Sequence, residues 1–187
     1  MTCNIEEKSF WVELGADLVK CDGVTGNVQR LHLKGDYFYD YLVGKKVSSS
    51  LAELRHLKYL DLSGNRFFFF FFFFEGSHIP EFIGSLKHRS YLNLSYAGFG
   101  DDMAWAFSLS SLQLLYLSAV DLSRAQNWDM VLHMIPSLKY LHLRYNSCKG
   151  GSLCMNNSYQ RRGENVANRH LANVKDLVIA SRMQNPF

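Results

Sequence analysis

The feature that most constrains this chain is an internal repeat of its apolar residues. Four segments, at residues 56–65, 90–95, 112–118 and 138–146, can be superposed so that their leucines coincide on the pattern L-x-x-L-x-L-x-x-N. Internal repeats outrank other sequence signals of architecture. A unit this short cannot bury its own apolar face, so successive units must stack into an elongated structure with a broad surface.

The pattern is typical of a leucine-rich repeat, and it predicts an α/β repeat solenoid, a horseshoe arc with parallel strands on its concave face. Residues along a strand alternate between its two sides. Leu60 and Leu62 should therefore face the core, while Tyr59 and Asp61 should face outward. Asn65 follows where the chain leaves the strand. Its amide is expected to bond to backbone groups that the turn would otherwise leave unpaired.

The repeat frame divides the chain into three parts. Residues 1–27 do not fit the frame and are predicted to form a degenerate N-terminal cap. Residues 28–148 hold about five repeats, with an insertion at Phe67–Phe74. Residues 149–187 are predicted to form an irregular segment with one weak terminal repeat.

Three positions depart from the frame. Arg89 stands where the other repeats have a leucine, and Ala97 and Val120 stand where Asn65 does. Each missing amide is expected to weaken its turn by about 1–3 kcal/mol, because buried backbone groups lose a hydrogen-bond partner.

The insertion is a run of eight phenylalanines, Phe67–Phe74, within the second repeat. The second and third repeats are 32 residues apart, whereas the next two spacings are 23 and 26. Removing seven phenylalanines reduces 32 to 25, in agreement with the neighbours. We therefore interpret the run as an expansion after a genuine Phe67. It is uncharged and has a high β-propensity, which makes it an aggregation hazard where exposed. The alternative is that the run forms a hydrophobic docking loop.

Composition limits the class of protein. With 48% hydrophobic and 20% charged residues, the chain has the composition of a globular protein. A formal net charge of +3 is too small and too dispersed to indicate binding to nucleic acid or to an anionic membrane. The first residues are polar and acidic, and no run of about twenty apolar residues occurs. We therefore expect neither a secretory signal nor a membrane segment in this chain.

The cysteines and the catalytic motifs decide what chemistry the chain could support. Cys3 with Cys21, and Cys148 with Cys154, could each close a local loop in an oxidising compartment; a reduced buried thiol is the alternative. No C-x-x-C pair or spaced histidine pair occurs, so no metal is expected. Since G-x-S-x-G, H-E-x-x-H and phosphate-loop motifs are also missing, we expect no enzyme activity and no cofactor.

Outward-facing strand positions are the candidates for binding. Tyr59, Tyr91 and Tyr140 recur at one repeat position and are predicted to form an aromatic ladder. Such tyrosines could serve only to stabilise the sheet by cross-strand stacking, or they could anchor a protein partner together with arginine. The binding candidates are His32, Tyr59, Asp61, Tyr91, Asn93, Tyr116, Tyr140, His142 and Arg144.

Two N-glycosylation sequons occur, Asn93-Leu94-Ser95 and Asn156-Asn157-Ser158. Asn156 lies in a polar, loop-like stretch and is predicted to be the better acceptor. Asn93 lies on the outward side of a strand. Modification of either residue requires entry into the secretory pathway.

Several motifs together resemble a known family. Leu51–Phe67 and Ile79–Leu86 resemble the plant-type repeat L-x-x-L-x-x-L-x-L-x-x-N-x-F-x-G-x-I-P. Cys3–Lys8 and Cys21–Val28 resemble the opening and exit of that family's N-terminal cap, and Trp128–Leu143 resembles one of its mid-domain repeats. The set is similar to the extracellular region of plant receptor-like proteins and receptor-like kinases, near the group that perceives elicitors.

The resemblance implies a non-catalytic module that recognises a protein or peptide ligand, with a co-receptor as a further partner. It also implies a glycoprotein at the outer side of the plasma membrane that acts in defence or developmental signalling. The family's paired cap cysteines, membrane helix, kinase and most of its repeats are missing from this sequence. A second hypothesis is therefore a truncated, non-functional product or an intracellular protein-interaction scaffold.

Overall fold

The computed structural model describes the side chains and backbone of residues 18–36, 42, 47–67, 78–100, 102–125, 135–144 and 146, and the backbone of residues 147–148 and 176–180.

One strand from each repeat contributes to a single sheet. In chain order, the strands of the described residues are β1 (Val19–Cys21), β2 (Val28–His32), β3 (Tyr59–Asp61), β4 (Tyr91–Asn93), β5 (Leu114–Tyr116), β6 (Asp121–Leu122), β7 (Tyr140–Arg144), β8 (Ser147–Cys148) and β9 (Asp176–Ala180). The main sheet has the order β1-β2-β3-β4-β5-β7-β9. β1 and β2 are antiparallel, and each later strand of this sheet is parallel to its neighbour. Successive repeats are therefore neighbours in space, as stacked units require.

The register of the sheet places the repeated leucines in one column. Leu31, Leu60, Leu92, Leu115 and Leu141 are aligned from β2 to β7. Each is fully buried or nearly so, and Leu62 is buried with them. The predicted inward positions are thus confirmed, because each short strand contributes one side to a core shared along the stack.

Short helical segments lie between the strands in the chain. They are a 3-10 helix at Ser49–Glu53, the helix α1 at Phe82–Ser85 and a 3-10 helix at Ala104–Ser108. α1 contacts the 3-10 helices of both neighbouring repeats. A Cβ atom on Gly84 would overlap the carbonyl oxygen of Trp105, so this glycine permits close approach of two backbones.

Asn65 bonds to the backbone of its own repeat and the preceding one. Its Nδ2 donates to the carbonyl oxygens of Leu33 (2.6 Å) and Leu62 (2.9 Å), while its Oδ1 accepts from the backbone N–H of Leu42 (2.8 Å). The predicted role of this amide is confirmed. Asn146 occupies the same position in a later repeat, and its Nδ2 donates to the carbonyl oxygen of Leu117 at 2.6 Å.

The amide column is interrupted at Ala97 and Val120, which are both buried. Further along the frame, Phe67 is buried and its ring stacks on that of Phe99 at 5.5 Å. Phe67 thus occupies a regular repeat position, as the spacing predicts. Phe68–Phe74 lies outside the described residues. Beyond these rings, β6 and β8 pair in parallel to form a second, two-stranded sheet.

Arg89 occupies a core position although it is charged. Its residue surface is 0% exposed, and Nε, Nη1 and Nη2 have no hydrogen-bond partner among the described residues. Leu57, Leu112 and Leu138, at the same position of other repeats, are buried as well. Desolvation by burial lowers the pKa of Arg89 to about 9.

Candidate recognition surface

The side of the sheet opposite the leucine core carries all nine predicted binding residues. We call it the ladder face; strand register and the alternation of side chains define two rows on it. The first row is Lys20, Arg30, Tyr59, Tyr91, Leu114 and Tyr140, and the second is His32, Asp61, Asn93, Tyr116 and His142. Arg144 follows at the exposed end of β7.

Four aromatic side chains form a continuous stack across the ladder face. The rings of Tyr59 and Tyr91 are stacked with centroids 4.0 Å apart and planes within 10°. Tyr91 is tilted against Tyr116 at 5.4 Å, and Tyr116 stacks on His142 at 4.4 Å. Paired aromatic rings attract one another beyond the area that they bury.

The path of this stack differs from the predicted ladder. Tyr59 and Tyr91 stack as predicted, but Leu114 occupies the register position between Tyr91 and Tyr140. The stack therefore moves to the second row at Tyr116. The period of the leucines predicts the rows, but the step from one row to the other depends on which ring fills each position.

Asp61 lies beneath the start of the stack and organises it. The residue is 2% exposed, and its Oδ1 accepts short bonds from the Ser63 backbone N–H (2.9 Å) and hydroxyl (2.6 Å). Its Oδ2 is approached by the Tyr59 and Tyr91 hydroxyls at 3.5 Å each. His32 Nδ1 also lies 3.5 Å from this oxygen. Asp61 faces outward as predicted, yet its neighbours cover it.

The Tyr91 hydroxyl stays protonated in this environment. Burial, followed by the Tyr59 hydroxyl and the charge of Asp61, raises the pKa of Tyr91 well above its ordinary value. The hydroxyl is therefore a hydrogen-bond donor toward the carboxylate throughout the neutral range.

Asn93 is bound within the same network. Its Oδ1 accepts from the Ser95 backbone N–H at 3.1 Å, and its Nδ2 points to Asp61 Oδ2 at 3.3 Å. The nitrogen that a glycan would modify is thus engaged in the folded protein. The other sequon residue, Asn156, lies outside the described residues.

Arg30 is a surface residue that the sequence pattern alone did not single out. Its guanidinium carbon lies 4.3 Å from the centre of the Tyr59 ring, a cation–π arrangement. Arg30 directly precedes the core residue Leu31, just as Tyr59 precedes Leu60. The repeat frame therefore contains the information needed to place it on the ladder face.

Among the cysteines, Cys21 is disulfide-bonded. Cys148 is described by its backbone alone, in β8, and Cys3 and Cys154 lie outside the described residues, so the pairing stays a prediction. Within the described ranges, no three His, Cys, Asp or Glu side chains form a group that could hold a metal ion. The same residues contain no helix long and apolar enough to cross a membrane.

Comparison with known proteins agrees with the repeat pattern and confirms the resemblance to plant receptor-like proteins. Residues 53–67 match the family model described as Leucine Rich repeat. Receptor-like protein EIX1 of Solanum lycopersicum is 35% identical over 159 residues, which cover 67% of this chain and 14% of the relative. Receptor-like protein EIX2 of the same plant is 43% identical over 96 residues, or 48% of this chain and 9% of the relative. The chain thus spans a small part of the length of either relative.

Proposed function

We propose that this chain, whose leucine-rich repeats are similar to those of plant receptor-like proteins, recognises a protein or peptide ligand through its ladder face. In this proposal the face is the concave side of a solenoid and acts by binding, without catalysis. The chain serves as the extracellular recognition surface of a plant cell-surface receptor in defence or developmental signalling, with a co-receptor as a second partner.

The continuous stack of Tyr59, Tyr91, Tyr116 and His142 carries the proposal. Aromatic side chains are enriched among the residues that contribute most to protein–protein binding. Each ring in the stack is half-buried and held by the next. Because the rings are already ordered in the free protein, less side-chain entropy is lost when a ligand binds.

Selection from a displayed peptide library tests this proposal and does not require that the natural ligand be identified first. Peptides enriched on the purified chain are measured again on Tyr116→Ala and on Phe107→Ala, an exposed aromatic residue of a 3-10 helix away from the ladder face. We expect Tyr116→Ala to weaken binding at least about thirtyfold, as at a binding hot spot, and Phe107→Ala to leave it unchanged.

Tyr116→Phe controls for folding, because it keeps the ring and its stacking on Tyr91 and His142. It should bind like the wild type if the ring is what the ligand contacts. Equal binding by Tyr116→Ala and Phe107→Ala, with both proteins folded, would show that the ladder face is not the recognition surface.

For glycosylation, we propose Asn156 as the modified residue, because the side chain of Asn93 is engaged with Asp61 and Ser95. Expression behind a secretion leader, followed by peptide mass mapping, tests this assignment. A glycan on Asn93 with none on Asn156 would contradict it.

A further inference from the structure

Two exposed cations lie side by side at the start of the ladder face. Lys20 and Arg30 are directly opposite each other in the antiparallel pair of β1 and β2. Their flanking residues Val19, Cys21 and Leu31 pack on the core, so both charged side chains lie on the ladder face. Like charges directly opposite one another destabilise a sheet.

Neither cation is neutralised within the described residues. No salt bridge or side-chain hydrogen bond of Lys20 or Arg30 occurs there, and the described contact of the Arg30 guanidinium is with the face of the Tyr59 ring. Ring stacking leaves the N–H donors at the edge of a guanidinium available for a carboxylate. The nearest acid on this face, Asp61, is buried and bonded to Ser63.

A cavity of about 490 Å³ is lined by residues in and around the starts of β2 and β3. The exposed side chains of His56, Lys58 and His88 line it together with Asp22. Gln29, which also lines the cavity, directly precedes Arg30 in β2. The backbone N–H of Lys58, another lining residue, donates to the Gln29 carbonyl at 2.8 Å, and Lys58 directly precedes Tyr59, the ring that Arg30 contacts.

Asp22, the acid that lines the cavity, is already hydrogen-bonded to neighbouring residues of its own segment. Asp22 Oδ1 accepts from the Thr25 backbone N–H at 2.8 Å and the Thr25 hydroxyl at 2.9 Å, and Oδ2 accepts from Gln29 Nε2 at 2.7 Å. The Thr25 backbone N–H, followed by the Thr25 hydroxyl and the Val24 backbone N–H, lowers the pKa of Asp22, which keeps it an acceptor. Lys58 interacts electrostatically with the Asp22 carboxylate. Its ammonium group has no hydrogen-bond partner among the described residues.

We infer that this surface, formed by Lys20, Arg30 and Lys58 beside the cavity, binds an acidic segment of the peptide or protein ligand. The inference rests on the proposed function and specifies the chemistry of its ligand. Carboxylates of the segment meet the three cations, while its apolar side chains continue onto Tyr91 and Tyr116. A peptide supplies both kinds of group, whereas an anionic polysaccharide supplies the charge alone.

The test measures fluorescence anisotropy of a labelled decaglutamate peptide with the full chain, at low and at physiological salt. Decaglutamine and dextran sulfate serve as the neutral peptide and the polysaccharide. We expect decaglutamate to bind, with binding weakened by salt screening. Arg30→Gln should weaken it about fivefold and Lys20→Gln with Arg30→Gln about twenty-five-fold, the upper range for one and two exposed ion pairs.

Arg124→Gln is the matched control, since it removes the same charge in the turn after β6, where Arg124 contacts His78. It should bind decaglutamate as the wild type does. Thermal unfolding of each variant verifies that the fold is kept.

Three results would overturn the inference. The first is equal affinity of Arg30→Gln and Arg124→Gln for decaglutamate, and the second is binding of decaglutamine as tight as that of decaglutamate. The third is binding of dextran sulfate that depends on Arg30, with no such binding of decaglutamate. Its failure is distinguishable from failure of the proposed function. If library-selected peptides depend on Tyr116 but contain no acidic residues, the recognition face stands and the acidic ligand is wrong.

Discussion

Replacing Arg89 by leucine should stabilise this protein substantially. The side chain lies in a column of buried leucines, and its three guanidinium nitrogens have no hydrogen-bond partner among the described residues. Burying an ion without a partner costs several kcal/mol, even after the protein relaxes around it. A leucine at this position would remove the charge and continue the column of buried leucines from Leu57 to Leu112.

The magnitude follows from the pKa of Arg89, which burial lowers from the ordinary value of arginine to about 9. At about 1.4 kcal/mol per pKa unit, this corresponds to an upper bound of about 5 kcal/mol at neutral pH, where the group is charged in both states. Replacements of buried ions by apolar residues stabilise proteins by about 1–4 kcal/mol. We therefore expect Arg89→Leu to raise the free energy of unfolding at pH 7 by about 1–4 kcal/mol.

The pH dependence identifies the cause. Above pH 9, and up to the ordinary pKa of arginine, the unfolded chain binds the Arg89 proton more tightly than the folded chain, so the stability of the wild type rises with pH in this window. The advantage of Arg89→Leu should be constant below pH 9 and shrink above it. Urea unfolding at pH 7, 8.5 and 10, with exposed Arg55→Leu as the control, measures both effects. An advantage for Arg55→Leu of similar size, or destabilisation by Arg89→Leu, would refute the reasoning.

Packing, hydrogen bonding and aggregation propensity each lead to one further prediction. Gly84→Ala should destabilise the protein by about 1–3 kcal/mol because its methyl group meets the Trp105 carbonyl; Gly23→Ala, where nothing lies within 4 Å, is the control in thermal unfolding. Asn65→Ala should cost about 1–3 kcal/mol in urea unfolding, since it leaves buried backbone groups unpaired; no change would show that water replaces the amide. Deleting Phe68–Phe74 should raise the soluble yield, and a lower yield would mean that the run is structural.

The leucine period is sufficient to predict the core and the strands. Leu60 and Leu62 are inward because side chains alternate along a strand, and Asn65 is bonded because the turn leaves carbonyl groups to satisfy. Both consequences follow from local geometry that every repeat shares. The frame therefore predicts them whatever side chains the neighbouring repeats carry.

The organisation of the candidate site depends on contacts between repeats, which the period does not encode. The position of Asp61 in the frame is that of a solvent-facing acid, yet rings from two strands cover it. The stack reaches Tyr116 because Leu114 fills the alternative position. To predict such features, one must consider two or three side chains in adjacent strands together.

The departures from the frame coincide with the centre of the ladder face. Arg89 and Ala97 belong to the same repeat as Tyr91, and Val120 belongs to the repeat of Tyr116. In a stacked repeat protein, stability is close to a sum over units and their interfaces, so these repeats should be the weakest of the described part. Arg89, however, lies on the core side of the sheet, opposite the rings that are proposed to meet the ligand.

Arg89→Leu therefore separates stability from recognition. If the departures only weaken the stack, the variant should be more stable and should bind library-selected peptides as tightly as the wild type does. If local loosening of these repeats helps the rings adapt to a ligand, added stability should reduce the affinity. We expect the first result, because the rings of Tyr91 and Tyr116 are held by the side chains beside them on the ladder face and not by the charge beneath.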